Sequence, residues 1–450
     1  MILIMFIEII NQRVKMKQLK NKLLLSAAAA LLVSTTAFAD NSSEITELKK
    51  QIQMLMQKTQ ELEAKSIAQE KKSVQLEEQS QALIDETSDL KTGFNYTKVD
   101  TTKSFAGLGA AASKVYYSKS PLSIGGYGEM YYSHTSVDGA SNSSKVDVYR
   151  FVPYIGYKFT DNIILNVELE FEHGGVEAGD GGEVIVEFMY LDFLFNEKIN
   201  LRVGHMLMPM GLINERHEPT LFNTVQRPNT SKYLIPSTWH ESGLMVFGEI
   251  AEGWGYKVVG ATGIDSSKTG DKWIRSGRGG SFENTDPGLG VAARIDYTGT
   301  NGLLVGASVY TDADIDMWDI HADYKVGPFR AYGVYTQTSR DDDAAFAAGG
   351  NANGEATDAE GGFINLSYDM FSLVSGINQR LPLFVQFESV SPQEELLGGG
   401  SVDSIDTTTF GINYFPHEQV VLKLDYSMKD ERTGINTDED TISASLGFIF

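Results

Sequence analysis

Hydrophobic and polar residues alternate one by one over several short stretches between residue 163 and the end of the printed sequence. In residues 163–172, Ile, Leu, Val and Phe occupy every second position, and most positions between them carry Asn or Glu. The same alternation returns at 289–298, 318–326 and 420–429. A period of two residues predicts β-strands that have one apolar and one polar face.

This pattern predicts sixteen strands, an even number. They lie near 122–134, 146–160, 163–174, 182–195, 199–207, 242–250, 254–264, 287–298, 302–311, 317–326, 329–340, 361–371, 382–391, 406–416, 420–430 and 440–450. Predicted turns such as 160–162 are short, whereas links such as 208–241 are long, and this alternation is typical of bacterial outer-membrane barrels. A soluble sandwich would also alternate but gives no reason for the link lengths. We therefore predict an all-β membrane protein, a sixteen-stranded antiparallel transmembrane β-barrel over 122–450.

A heptad period precedes the strands. Six of the seven positions on one seam are Leu, and the seam is Leu48, Leu55, Leu62, Gln69, Leu76, Leu83 and Leu90. This spacing predicts an α-helical coiled coil over 40–91 that joins copies of the chain. The plainer alternative is a lone charged helix. Residues 92–121 are rich in Gly, Ala, Ser and Lys, which predicts a linker.

The N-terminal residues have the features of a secretory leader. A Lys-rich start at Met16 is followed by an apolar stretch at 23–33 and by Ala-Phe-Ala before Asp40. This order predicts a signal peptide over 1–39 and makes Met16 the better start. A membrane anchor is the alternative, but the apolar stretch is short for a bilayer span. We expect a barrel in the outer membrane, with the coiled coil in the periplasm.

Composition excludes several classes of function. The chain has 37 Lys and Arg, 60 Asp and Glu, and no Cys. A net charge of −23 argues against nucleic-acid binding, which needs a basic face. Without Cys there is no disulfide or thiolate site, and seven His offer little for zinc, so we expect no metal and no cofactor. The sequence lacks G-x-S-x-G, H-E-x-x-H and P-loop spacings, so we predict no catalytic residues and no enzyme activity.

Several stretches resemble the trimeric porin superfamily and are similar to phosphate-selective porins of the O and P type. The resemblance rests on IGGYGEMYYSH at 124–134, VDVYRFVPYIGYKFTDNI at 146–163, PMGLINERHEPTLFNTVQRP at 209–228 and IPSTWHESG at 235–243. The last strand, ISASLGFIF, ends on Phe450, which resembles the assembly signal of outer-membrane barrels. The implied partners are outer-membrane lipid, lipopolysaccharide and the barrel assembly machinery.

The resemblance also implies a homotrimer in which the third outer loop folds into the lumen as a constriction. The third outer link here is 208–241. Its charged residues and one histidine are the constriction candidates, Glu215, Arg216, His217, Glu218, Arg227, Lys232 and Glu241. Opposed charges in a narrow wet lumen orient polar solutes and filter ions. The alternative for each residue is an ion pair that anchors the loop.

Charged residues on the polar faces of the strands are the candidates for lining the lumen. They are Arg150, Lys158, Glu168, Glu170, Glu172, Arg294, Asp296, Asp319, Asp323, Lys325, Lys423 and Asp425. Acidic residues slightly outnumber basic ones, which departs from an anion-selective lining. We therefore predict a channel for passive diffusion of small hydrophilic solutes and ions. Two alternatives stay open: a phosphate or anion channel, and an outer-membrane anchor whose coiled coil tethers the envelope through peptidoglycan or a periplasmic partner.

Overall fold

The computed structural model describes residues 42–94, 99–176, 181–266, 273–278, 288–349, 355–401, 404–431 and 438–450. The predicted signal peptide, 1–39, lies outside these residues. The chain divides into two compact units, Met1–Lys91 and Thr92–Phe450. Within the described ranges, no helix is long and apolar enough to cross a membrane.

Sixteen antiparallel strands in the described part of the second unit form a closed barrel. Each strand pairs with its neighbours along the chain, and β1 closes the barrel by pairing with β16. The strands are β1 (Leu122–Val137), β2 (Ser143–Thr160), β3 (Ile163–Glu172), β4 (Glu183–Leu194), β5 (Asn200–Leu207), β6 (His240–Ala251), β7 (Trp254–Thr262), β8 (Leu289–Tyr297), β9 (Leu303–Thr311), β10 (Ile315–Val326), β11 (Phe329–Arg340), β12 (Ala356–Asp369), β13 (Pro382–Leu396), β14 (Ile405–His417), β15 (Val420–Glu431) and β16 (Glu439–Ile449).

The predicted fold class and strand number are confirmed, and the largest differences lie in one hairpin. β12 begins at Ala356, where the prediction was 361, and β13 ends at Leu396, where the prediction was 391. The added residues include Thr357 and Asp358 on one strand and Gln393 and two Glu on the other. Polar residues on both faces hide the period of two, so alternation could not reveal this extension.

The alternation along each strand separates an outer apolar face from an inner polar face. On β10, Trp318 and Ile320 are 40% and 55% exposed, whereas Asp319 and His321 are 1% and 3% exposed. Asp319 accepts a hydrogen bond from Gly211 N inside the barrel, so the buried face is the inner one. An apolar outer band of this kind is what contact with lipid requires.

The described residues contain three α-helices. Helix α1 (Ser42–Phe94) covers most of the predicted heptad segment. Its seam residues Leu55, Leu62 and Leu76 are 64%, 61% and 60% exposed in the single chain, and their pairing with other copies stays a prediction. Helix α2 (Lys114–Tyr117) precedes β1, and α3 (Asp342–Gly349) lies in a link for which the sequence predicted no helix.

The segment before β1 packs inside the barrel at the end that carries the short turns. Phe105 stacks on Tyr116 with 3.7 Å between ring centroids, and the Tyr116 hydroxyl donates to Asp192 Oδ2 at 2.6 Å. Asn166 Nδ2 donates to Ala112 O at 2.9 Å. The part of the predicted linker that the structure describes therefore belongs to the packed interior of the barrel unit.

Candidate functional site: the lumen and its loop

The long link between β5 and β6 lies inside the barrel; we call residues 208–239 the lumen loop. Its backbone N–H groups bind carboxylates of strands on different sides of the wall. Gly211 N donates to Asp319 Oδ2 on β10 at 2.9 Å, and Thr230 N donates to Glu388 Oε1 on β13 at 2.8 Å. Val225 N donates to Asp425 Oδ2 on β15 at 2.6 Å. The loop therefore crosses the lumen.

Asn214 joins the two ends of the lumen loop. Its Nδ2 donates to Met208 O at 2.7 Å and to Trp239 O at 2.9 Å. Trp239 N donates back to Asn214 Oδ1 at 2.8 Å. Gly211 begins the turn that follows Met210 and has a φ of +65°, which a glycine adopts without steric cost. One buried amide thus closes a loop of more than thirty residues.

Cationic side chains of the wall bind carbonyl oxygens of the lumen loop. Lys423 Nζ donates to Thr224 O at 2.9 Å, and Arg330 Nη2 donates to Leu221 O at 2.8 Å. Arg294 also donates to the carbonyl of Gly211. Buried backbone groups need partners, so these cations stabilise a loop that has little regular secondary structure of its own.

Four constriction candidates on the first half of the loop contact the wall or the segment before β1. Glu215 pairs with Lys257 on β7, and both side chains are at least nine-tenths buried. Arg216 Nη1 lies 3.5 Å from Asp323 Oδ2, which also pairs with Arg330. These contacts are those of the loop-anchoring alternative.

His217 and Glu218 are buried inside the barrel. Burial lowers the pKa of His217 to about 4, so its imidazole is neutral at pH 7. Burial raises the pKa of Glu218 to about 7, although hydrogen bonds from backbone N–H groups oppose that shift. Glu218 Oε1 accepts from Ala111 N at 2.9 Å and Ala112 N at 3.1 Å. Glu218 therefore joins the lumen loop to the segment before β1.

The other three constriction candidates lie on the second half of the loop or beside it. Arg227 donates to His217 O and to Ser237 Oγ, each at 3.4 Å. Lys232 is half-buried and lines a cavity described below. Glu241, at the start of β6, accepts from Trp239 Nε1 at 3.1 Å and from the Thr262 hydroxyl.

The lumen-lining candidates lie on the inner face of their strands. Arg150 is 3.7 Å from both Glu129 and Glu170. Lys158 Nζ donates to Ser118 O at 2.7 Å, and Arg294 Nε donates to Asp296 Oδ2 at 2.8 Å. The remaining lumen-lining candidates are Glu168 and Glu172 on β3 and Lys325 near the end of β10. Most of these residues form hydrogen bonds or ion pairs with one another, with the lumen loop or with the segment before β1.

Two cavities flank the lumen loop. The long-link cavity, toward the long links, has a volume of about 1070 Å³. Its charged lining residues are Arg227, Lys232, Lys429, Glu388, Asp425 and Glu439. The short-turn cavity, toward the short turns, has a volume of about 1600 Å³. Its charged lining residues are Arg216, Lys257, Lys325, Arg330, Arg380, Glu197, Glu249, Asp296, Asp323, Asp369 and Glu418.

The middle of the loop separates the two cavities. Leu221 and Asn223 line the short-turn cavity, whereas Thr224 and Gln226 line the long-link cavity. Asn223 and Thr224, which are adjacent in the chain, thus face opposite sides of the loop. The described lining residues are acidic and basic in nearly equal number on both sides of the loop.

Sequence reasoning missed several residues that hold the loop. Lys257, Arg330 and Glu388 lie on inner strand faces, and no pattern within their own strands distinguished them. Glu187 had a usable signal, because strict alternation on β4 would direct its charge toward lipid, which is costly. The β3–β4 register shifts between Glu168 and Leu169, and this bulge directs both Glu187 and Phe188 inward.

No family model matches the chain. It is 32% identical over 374 residues to a protein of Aquifex aeolicus (strain VF5) described as an uncharacterized protein, covering 77% of this chain and 84% of the relative. The chain belongs to the same family as this Aquifex protein. The relative's description names no ligand or activity, so kinship alone assigns no function.

Solved structures share the barrel. The outer-membrane channel DcaP of Acinetobacter baumannii has a TM-score of 0.50 and 13% identity, covering 74% of this chain and 99% of DcaP. An anion-selective porin from Comamonas acidovorans has a TM-score of 0.49 and 12% identity, covering 73% of this chain and all of that one. The likeness to DcaP shows a shared fold, which in this chain is the closed barrel of sixteen strands.

Proposed function

We propose that this protein is an outer-membrane porin, a water-filled channel through which small hydrophilic solutes and ions diffuse passively. The observation that carries the proposal is a lumen loop bound to the wall on several sides, with a cavity that charged side chains help to line on each face. Apolar residues of the loop, among them Met208, Phe222 and Trp239, also pack inside the barrel, so the loop narrows the path to the space beside it. The charged and polar residues along both cavities suit hydrated solutes.

The charge of the linings favours weak selectivity. Among the residues that the structure describes, three basic and three acidic side chains line the long-link cavity, and five basic and six acidic side chains line the short-turn cavity. Selective passage of anions needs a clear excess of Lys and Arg along the path. The general channel is therefore our first proposal, and the phosphate or anion channel is the alternative.

Charge reversal on each side of the loop tests the path. Lys232→Glu changes the long-link cavity, and Lys325→Glu changes the short-turn cavity. Each variant should move the reversal potential under a KCl gradient toward cation selectivity, because a lining cation becomes an anion. The matched control is Lys72→Glu, which makes the same change on the exposed surface of α1.

The outcomes of that experiment separate the alternatives. Reversal potentials equal to that of Lys72→Glu would contradict a path through these cavities. Strong anion selectivity in the unmodified chain, with current blocked by added phosphate, would replace the general channel with the phosphate alternative.

We further propose that the chain works as a trimer in the outer membrane, with α1 joining the copies in the periplasm. Three Leu of the heptad seam are exposed in the single chain, and such residues bury in a coiled coil. Phe450 pairs with Gly126 through two backbone hydrogen bonds of 2.9 and 3.0 Å, so the C-terminal residue helps to close the barrel. This position fits recognition by the barrel assembly machinery, with lipid and lipopolysaccharide around the outer face. Tethering through peptidoglycan or a periplasmic protein is the alternative role of α1.

A further inference from the structure

Three potential metal ligands meet where the lumen loop touches the wall. They are Glu168 on β3, Glu187 on β4 and His217 of the loop, and one ligand atom of each lies within 4.8 Å of the others. His217 Nε2 is 3.2 Å from Glu168 Oε1 and 3.9 Å from Glu187 Oε2. All three residues are at least 97% buried.

The hydrogen bond on the far side of the imidazole orients the ring. His217 Nδ1 lies 2.7 Å from the carbonyl oxygen of Asn214. A carbonyl can only accept, so Nδ1 carries the hydrogen, and in the neutral ring the lone pair of Nε2 points at the two carboxylates. A backbone carbonyl that fixes the tautomer in this way is the usual outer partner of a metal-binding histidine.

Glu187 is a fully buried carboxylate whose oxygens lack well-aligned donors. Among the described residues, no donor is in hydrogen-bonding geometry with Oε1 or Oε2 of Glu187 or with Oε2 of Glu168, although the hydroxyl groups of Thr238 and Tyr154 lie beside these carboxylates. Burying a carboxylate without partners is costly. The bulge on β4 nevertheless turns Glu187 into this position. Oxygen and nitrogen atoms of three side chains thus converge on one point, where they can share a bound cation.

A second histidine in the lumen shows what a satisfied arrangement looks like. His321 also lies between two carboxylates, but these occupy opposite ring nitrogens: Asp319 at Nδ1, 2.6 Å, and Asp296 at Nε2, 2.9 Å. The guanidinium of Arg294 supplies a neighbouring positive charge. Each cluster has one histidine and two carboxylates. Of the two, the His217 cluster is the one whose acceptor atoms converge on one point.

We propose that Glu168, Glu187 and His217 bind one divalent transition-metal ion, such as Zn²⁺, which fastens the lumen loop to the wall. One imidazole nitrogen and two carboxylate oxygens suit Zn²⁺, Co²⁺ or Mn²⁺ better than Ca²⁺ or Mg²⁺, which prefer oxygen ligands alone. The ion joins two neighbouring strands to the loop. This site is independent of the solute that the channel carries.

The test titrates the full chain, purified in detergent and stripped with a chelator, with Co²⁺ and then with Zn²⁺. We expect one ion per chain, visible Co²⁺ absorption bands that report nitrogen ligation, and displacement of Co²⁺ by Zn²⁺. Glu187→Gln keeps the shape of the side chain and should weaken binding at least about tenfold, since it removes a ligand rather than an outer partner. Asp296→Asn, beside His321, is the matched control and should bind as tightly as the unmodified chain.

Two results would overturn the site. One is no stoichiometric binding of Co²⁺ or Zn²⁺ by the unmodified, folded chain, which would leave a shared proton as the cation between these groups. The other is equal binding by the unmodified chain and Glu187→Gln, which would place the ion on other carboxylates. Heat-modifiable migration on gels reports folding of each variant. If Glu187→Gln does not fold, Glu168→Gln takes its place, and the stoichiometry and Co²⁺ spectrum of the unmodified chain still decide.

Discussion

Charged side chains inside the barrel are held in pairs, some between two wall residues and some between the lumen loop and the wall. The clearest pair is Glu215 with Lys257, in which both side chains are at least nine-tenths buried. Loss of one partner leaves a buried charge without its counter-ion. The resulting decrease in the free energy of unfolding is therefore larger than the stabilisation that the pair provides.

Lys257→Met should lower the free energy of unfolding by about 3–5 kcal/mol, because Glu215 is left as a buried, uncompensated charge. Urea titration of the barrel in lipid vesicles measures the change. The control, Lys103→Met, breaks the exposed pair with Asp100 and should leave the free energy of unfolding nearly unchanged, because solvent screens an exposed ion pair.

Removing both charges separates this explanation from simple loss of packing. The double variant Glu215→Leu, Lys257→Met should recover most of the stability that Lys257→Met loses. A double variant as unstable as the sum of both single variants would contradict the paired-charge explanation.

At the residue scale, the sequence predicted which segments carry charged side chains better than it predicted which residues pair with one another. The charges of Glu215 and Arg216 marked the loop as polar, but their partners Lys257 and Asp323 lie far along the chain. Pairing across the lumen depends on strand register and on the path of the loop, and a period of two reports neither. The inward position of Glu187 was not predicted for a local reason, because the bulge on β4 shifts the alternation of its side chains.

At the scale of elements, the lumen loop divides the interior of the barrel. Its middle segment places Leu221 on the short-turn side and Gln226 on the long-link side, and both residues are half-buried. The chain contains no cysteine, so single cysteines can report each side without background labelling.

Leu221→Cys and Gln226→Cys should both lose conductance after reaction with a positively charged thiosulfonate reagent. We expect each variant to react faster from its own side of the membrane, because the loop lies between the two positions. Leu422→Cys, on the outer face, is the control and should conduct normally after the same treatment. Equal reaction rates from both sides for the two loop variants would contradict the partition.

Most strands were predictable because one face contacts lipid and the other faces the polar interior, so alternation runs through nearly every one. The prediction was weakest where this contrast ends, in the β12–β13 extension. The segment before β1 was also hard to predict. Its Gly and Ala residues suggested a linker, whereas these small residues let Glu218 and Asn166 reach its backbone.

At the scale of the whole molecule, α1 and the barrel are separate compact units. Helix α1 has 53 residues, which makes a rod of about 80 Å. Polar residues occupy much of its heptad pattern, so its self-association should be modest on its own and effective when barrels already lie side by side.

Deleting residues 42–91 should leave a folded, conducting barrel but weaken the trimer. Native mass spectrometry in detergent should show monomers under conditions in which the full chain stays trimeric. Trimers of unchanged stability, together with lost attachment of the outer membrane to the cell wall, would favour the tether role instead.

The most direct test of the central claim is single-channel recording of the unmodified mature chain in a planar lipid bilayer under a KCl gradient. We predict discrete conductance steps, a reversal potential close to zero or slightly on the cation side, and no block by phosphate. Absence of conductance from correctly folded barrels would contradict the proposal of a diffusion channel.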